Sequence, residues 1–423
     1  MSTKLRAAVI GATGYSGAEV IRSLLMHPHV AVTSVVSSSN PGALLADGFP
    51  HLSQIVTDRL DAVDVDVIKE KADVVFLATP HGVSTELSPK LLEAGLKVID
   101  ISGDFRLKSG EVYEKWYKHK PADAAFLEKA VYGLAEVFGD EVRGANFISN
   151  PGRYPTASTL GLAPLAAKGW IDMKSIIVDA KSGVSGAGRG LSMTTHFSEI
   201  NENFYAYKVN KHQHTPEIEQ TLTRLSGEET VITFTTHLVP MTRGILSTIY
   251  VNLKEPRTED EVFELFRSYY EGRRFVRIRD KGKYPATKEV WGSNYCDIGL
   301  SLDSRTGRLT VLSAIDNVVK GGRRAGGTEL ELDDGLGRND RIGILPSISI
   351  TRRKGTNGED GYEDERICSR AGRVRNNAEG LPSGRPALRV EKNAAPRPRR
   401  DCMRGAGECG GRVYAESVSS GAA

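Results

Sequence analysis

The sequence predicts an α/β protein of two domains followed by a disordered tail. Three observations carry this. The first 150 residues alternate short apolar β-type runs with helical segments, the pattern of a doubly wound parallel sheet. A glycine-rich turn joins the first of these strands to the first helix. Beyond Gly321 the composition changes to 17 Arg and 2 Lys, with no Phe or Trp. A segment so poor in apolar bulk cannot bury a core, and disorder is the physical expectation.

A chain of 423 residues accommodates two or three domains. Hydrophobic content of 39% and charged content of 26% are those of a soluble globular protein, and a net charge of +3 is too small to imply nucleic acid. No apolar run approaches the ~18 residues of a membrane span. Met1 to Arg6 leads straight into a strand, with no signal peptide. Cys296, Cys368, Cys402 and Cys409 have no metal-ligand spacing. A cytoplasmic, reduced protein without metal is expected.

The first domain is read as residues 1–150. Ala7-Ala8-Val9-Ile10 is a buried strand. It enters Gly11-Ala12-Thr13-Gly14-Tyr15-Ser16-Gly17, then the helical Ala18 to Leu25. Glycines at 11, 14 and 17 remove Cβ atoms where a backbone turn and a helix N-terminus must approach a pyrophosphate. Gly11, Thr13, Gly14, Tyr15, Ser16 and Gly17 are therefore candidate cofactor contacts in a Rossmann-like domain. A second strand, Ala31 to Val36, ends in Ser37-Ser38-Ser39. An NAD-specific domain places a carboxylate there on the ribose 2′-hydroxyl. Ser37 and Ser38 can instead donate to a 2′-phosphate, which favours NADP(H) over NAD(H), against the reading of a polar loop.

Asp73 to Thr79 and Val98 to Ile101 are further strands. His81, after the first of them, is read as a polar loop histidine, with contact to the cofactor as the alternative. Ser102, Arg106 and Asn150 follow strand ends, where such sheets bind ligands. Arg106 is a candidate for a phosphate because its guanidinium can donate two parallel bonds. An interdomain salt bridge is the competing reading.

Ser149-Asn150-Pro151-Gly152-Arg153-Tyr154-Pro155-Thr156-Ala157 reads as strand, tight turn and helix start. It opens the second domain, residues 151–316, expected to be α+β with a mixed sheet covered by helices on one face. Ser175 to Lys181 is a strand ending in the loop Ser182-Gly183-Val184-Ser185-Gly186-Ala187-Gly188-Arg189-Gly190. His212-Gln213-His214 precedes a helix that Thr215 caps and Pro216 begins. Neutral imidazoles there suit acid–base work; a surface loop and a metal site are the alternatives. Strands Thr230–Pro240 and Gly244–Val251 flank a turn at Met241-Thr242-Arg243. Arg243 is a candidate for a substrate carboxylate or a neighbouring subunit. Phe263–Tyr270 is helical, Arg308–Ile315 is a strand, and Cys296 is read as structural.

Several of these motifs occur together and in order. On them, residues 5–322 closely resemble the N-acetyl-gamma-glutamyl-phosphate reductase family. That resemblance implies an NADPH-dependent acyl-phosphate reductase of arginine synthesis. A cysteine between Gly152 and Tyr154 attacks the acyl phosphate, phosphate leaves, and the thioester is reduced to the semialdehyde. It implies His214 as the base for the thiol with His212 alongside. It assigns Ser182, Gly183 and Asn317 to the cofactor and Arg106, Asn150, Ser185 and Arg243 to the substrate, in a homo-oligomer. Reductases of aminoadipyl or aspartyl phosphate share the logic.

Two departures follow. Arg153 stands where the family has its nucleophile, and a guanidinium stays protonated. The chain as written is then expected to be inactive, and a non-catalytic dinucleotide-binding protein is the alternative. The second is the ending. Residues 317–326 begin a return to the first domain, and 327–423 are expected to be an out-of-frame tail. Codons permitted for residues 324–351, read one base later, can spell an amphipathic helix and a stop.

Overall fold

The computed structural model describes residues 4–320. The tail assignments beyond them, and Cys368, Cys402 and Cys409, lie outside the described residues. In the first domain β1 (Leu5–Ile10) leads through the glycine turn to α1 (Tyr15–Leu25) and β2 (Val30–Val36). Next come α2 (Val65–Lys71), β3 (Val74–Leu77), α3 (Ser84–Glu93), β4 (Lys97–Asp100), β5 (Val131–Tyr132) and β6 (Phe147–Ser149). The six strands form one sheet in the order β2-β1-β3-β4-β6-β5, with every pair parallel.

Apolar runs without polar alternation make these strands, because both faces are covered. Ala7 and Val9 join one core with Ile21 and Leu24 of α1. Ala8 and Ile10 join another with Ile68 of α2 and Leu87 and Leu91 of α3. Asp64 fixes the start of α2 by accepting from the Asp66 and Val67 N–H groups. The strand order reverses between β1 and β3, so the loops after those two strands border the ligand crevice.

The second domain opens with α4 (Arg153–Lys168) and continues with β7 (Ile177–Gly183), β8 (Tyr205–Tyr207), α5 (Thr215–Ser226) and β9 (Thr233–Val239). Then follow β10 (Ile245–Asn252), α6 (Glu259–Tyr269), β11 (Val276–Ile278), β12 (Cys296–Asp303) and β13 (Arg308–Ile315). Its seven-stranded mixed sheet has the order β11-β12-β13-β10-β7-β9-β8. On β10, Ile245, Ser247, Ile249 and Val251 are buried, whereas Leu246, Thr248 and Tyr250 remain partly open. The buried set packs under α4, α5 and α6 in one core. A Cβ on Gly161 would stand 2.9 Å from Ile249 Cδ1, so α4 lies close on β10. Tyr132, Leu134 and Phe138 also belong to this core, so a cut at residue 150 divides it.

Three local expectations are corrected. Ser182 and Gly183 close β7 rather than open a loop, because Gly183 N–H reaches Gly244 O at 2.9 Å. Met241-Thr242-Arg243 is not a turn between neighbouring strands: β7 lies between β9 and β10. The segment crosses the end of β7, where a Cβ on Gly183 would stand 2.8 Å from Met241 O. Thr215 is not the cap of α5. His214 holds that position, Thr215 is the first helical residue, and its hydroxyl has no partner.

Candidate active site

The turn at 149–157 folds as its residues require. β6 ends at Ser149, Gly152 is the N-cap of α4, and Arg153 is its first residue. Gly152 is obligatory here, since an added Cβ would stand 2.7 Å from His214 Nδ1. That contact brings the start of α5 onto the start of α4. Glu217, buried in the first turn of α5, ties them. Its Oε1 accepts the Gly152 N–H at 2.7 Å and the Tyr132 hydroxyl at 2.9 Å, and its Oε2 lies 2.8 Å from His214 Nδ1. Burial alone would raise the Glu217 pKa, but Arg106, His214 and the Gly152 N–H outweigh it and hold the carboxyl below its ordinary value.

With Nδ1 committed to Glu217, Nε2 is the ring nitrogen that His214 can offer. Burial lowers the His214 pKa despite the carboxylate, so the imidazole is neutral near pH 7. A neutral imidazole anchored by a buried carboxylate has the chemistry to accept a proton. Glu217 was not legible as a functional residue. Its signal was the His214-x-x-Glu217 spacing across a helix start, which places both side chains on one side.

His212 also lines the cavity beside His214 but is less suited to accept a proton. It is buried between Tyr154, Tyr207 and Phe234, its ring 5.2 Å from that of His214. Its Nδ1 accepts the His214 N–H at 3.2 Å, and burial pushes its pKa down to about 2. It is a neutral packing residue that positions the base. His81, read as a polar loop histidine, does lie in a loop, and it lines the same cavity as Arg153 and His214, with Nδ1 3.6 Å from the buried Asp104 carboxylate. The loop after β3 carries it there.

This cavity, of about 550 Å³, is lined by His81, Arg153, Tyr207, Lys208 and His214 among others, and by no carboxylate. Arg153 donates from Nη1 to Gly186 O at 2.6 Å and from Nη2 to Ser16 Oγ at 3.5 Å. Burial and the nearby Arg106 lower its pKa to about 10, which leaves it a cation at neutral pH.

Arg106 lies beneath this cavity rather than open to it. Its guanidinium donates to Asn150 O at 2.7 Å and Ile101 O at 2.8 Å and lies 3.7 Å from Glu217. The interdomain bridge is thus the role this geometry gives it. Asn150 is buried in the same junction, its N–H on Asp100 O at 2.7 Å. Arg243 is not brought to Arg153. It faces a second cleft of about 950 Å³, between Glu19 of α1 and Asp316, at 3.4 Å from each. Ser185 lines that second cleft, and Asn317 joins the two segments, donating to Ser185 Oγ at 3.2 Å and accepting the Gly244 N–H at 2.7 Å.

The glycine turn fits a dinucleotide. A Cβ on Gly11 would collide with Ala78 O, and one on Gly17 with Gly11 O; both glycines are required by the fold itself. Gly14 meets nothing nearer than 3.6 Å, and α1 has no side-chain cap. The helix start is therefore open, as approach of a pyrophosphate needs. Thr13 O is bound by Arg189 at 3.2 Å, and Tyr15 stands half-exposed beside it. At the end of β2, Ser38 and Ser39 are exposed, but Ser37 is buried with its hydroxyl on Ser39 and Asn40. The polar donors open to solvent are Ser38 and Ser39. Cys296 is fully buried 3.3 Å from Ser313 Oγ, with its thiol pushed up to about 12, and is structural.

A parallel dinucleotide-type domain, a mixed-sheet domain and a base at their junction define a semialdehyde dehydrogenase-type oxidoreductase. Residues 6–145 match the family model of the semialdehyde dehydrogenase NAD-binding domain, and residues 154–317 that of its dimerisation domain. Aspartate semialdehyde dehydrogenase II of Vibrio cholerae has the same fold, with a TM-score of 0.58 at 16% identity over 76% of this chain and 95% of that one. An NADP complex of the Candida albicans enzyme gives 0.55 at 18% identity over 77% and 96%. Within that class, the chain belongs to the N-acetyl-gamma-glutamyl-phosphate reductase family. It is 56% identical to the reductase of Geobacillus thermodenitrificans (strain NG80-2) over 317 residues, 75% of this chain and 92% of that protein. Against the Bacillus subtilis (strain 168) reductase the identity is 49%, over 81% and 99%.

Proposed function

We propose that this chain has the architecture of an NADPH-dependent reductase of N-acetylglutamyl 5-phosphate, producing the 5-semialdehyde and phosphate in arginine biosynthesis. The observation that carries this is the His214–Glu217 pair locked against the turn at residue 153. Gly11, Gly14, Gly17 and the start of α1 would hold the dinucleotide, which supplies hydride when bound. Ser38 and Ser39 would take its 2′-phosphate. In the family reading a thiol at position 153 gives its proton to His214 Nε2 and attacks the acyl carbon, and phosphate departs. The Arg153 and Tyr154 N–H groups at the start of α4 would be the donors to the developing oxyanion. Arg153 can perform none of this covalent work, because it stays protonated and has no leaving-group chemistry. The chain as written then binds without turnover. The opposite face of the second sheet, where Leu246, Thr248, Tyr250 and Leu312 are partly exposed among the described residues, would be the surface for self-association.

The test is NADPH absorbance with N-acetylglutamyl phosphate. The chain as written should show no oxidation of NADPH, and Arg153→Cys should, with NADPH the better reductant than NADH. Turnover in the chain as written would remove position 153 from the chemistry. Cys296 could not replace it, since it is fully buried.

A further inference from the structure

Arg153 places a charge where dinucleotide and substrate would meet. Its guanidinium spans the two domains, from Gly186 O in the second to Ser16 Oγ at the dinucleotide turn of the first. Among the described residues it makes no ion pair. Arg106, below it, is matched by Glu217. Asp316, whose negative charge acts on Arg153, is engaged by Arg243 and by the N–H groups of Gly292 and Val318. The cavity's other lining includes Tyr154, Tyr207, His81, His214 and a second cation, Lys208, held by Gln213 Oε1 at 2.9 Å, and no carboxylate. The positive charge is therefore uncompensated within the cavity.

We propose that Arg153 makes this chain select the reduced form of its nicotinamide dinucleotide over the oxidised form. The two forms carry the same adenine, riboses and phosphates. They differ by one formal positive charge, on the nicotinamide ring of the oxidised form. Any attraction of Arg153 for the phosphates cancels in the comparison. What remains is repulsion between guanidinium and ring in a partly buried site, which water and salt screen only in part. Hydride delivery to a group at position 153 requires the ring beside that position, so the inference rests on the preceding reading of the site. A neutral thiol there would impose no such preference. Arg153 thus turns a reductase site into a site that retains the reduced dinucleotide.

The experiment is calorimetric titration of the full chain with NADPH, NADP⁺ and 2′-phospho-ADP-ribose, which lacks the ring. NADPH should bind at least tenfold more tightly than NADP⁺, about 1.4 kcal/mol. The ring-less nucleotide should bind at least as well as NADP⁺. Arg153→Met keeps the stem without the charge and should collapse the ratio; Arg153→Lys should keep it. If Arg153→Met does not fold, the salt dependence of the ratio in the unaltered chain decides, since rising salt must shrink it. Equal affinities for NADPH and NADP⁺, or a ratio indifferent to Arg153→Met or to salt, overturn the inference and leave the dinucleotide site standing. Failure of all three nucleotides to bind overturns both.

Discussion

At the scale of the residue, Glu217 organises the junction. One buried carboxylate holds the Gly152 N–H, the Tyr132 hydroxyl and the base, and lies beside a buried guanidinium. Removing one partner of a buried ion pair costs about 3–5 kcal/mol, because the other charge is stranded. Glu217→Gln should lower the unfolding free energy by roughly that amount in urea, and a midpoint near that of the unaltered chain would mean Arg106 needs no counter-charge. His212 makes a separate prediction about pH. Its folded pKa is about 2 against an ordinary 6.5. The unfolded chain therefore takes up a proton that the folded one refuses as pH falls below 6.5. Stability from this group is fully present above 6.5 and is lost on acidification, by up to ~1.4 kcal/mol per pH unit. His212→Asn should fold less stably at pH 7.5 but with a shallower decline towards pH 5, measured by denaturant titration. Parallel declines would show that another group titrates.

At the scale of the element, the β1–α1 turn separates glycines that the fold needs from one that a ligand needs. Gly17→Ala would place a Cβ 2.7 Å from Ala12 Cα, among other contacts, and force the helix off the strand. Such overpacking typically costs about 1–3 kcal/mol. Gly14→Ala meets only an ordinary contact at 3.6 Å, and its φ of −83° suits any residue. Thermal melts should therefore fall for Gly17→Ala and stay within a degree or two for Gly14→Ala. NADPH titration should nevertheless weaken for Gly14→Ala, since the new methyl stands where the pyrophosphate approaches. Unchanged NADPH affinity in a folded Gly14→Ala protein would move the cofactor away from this helix start.

At the scale of the molecule, among the described residues the second domain covers one face of its sheet with α4, α5 and α6 and leaves the other partly open. That open face alternates polar and apolar residues, and Tyr250 and Leu312 are only partly buried in a single chain. A charge there leaves the monomer's core untouched and desolvates badly between two chains. Light scattering should find the unaltered protein as a dimer or larger, and Tyr250→Glu should shift it towards monomer. A monomeric unaltered chain would mean the open face is solvated as it stands.

The strand, turn and helix around Arg153 were legible because apolar periodicity and Gly/Pro punctuation are properties of neighbouring residues. So were the glycine turn and the buried, inert Cys296. The order of such motifs also placed the chain in its family. The partners of individual side chains were not legible, because they come from elements far apart in sequence. His81 reaches the cavity only when β3 lies beside β1, and His212 becomes less suited to accept a proton only when three aromatic rings close around it. Arg106 stood between a phosphate ligand and an interdomain bridge until its guanidinium met Asn150 O, Ile101 O and Glu217. Arg243 and Arg153 seemed parts of one site until the insertion of β7 between β9 and β10 set them over different clefts. Local sequence determined the order of the elements and most of the candidate residues they carry. Long-range packing decided which of them face one another, because burial and hydrogen-bond satisfaction are settled only when distant elements meet.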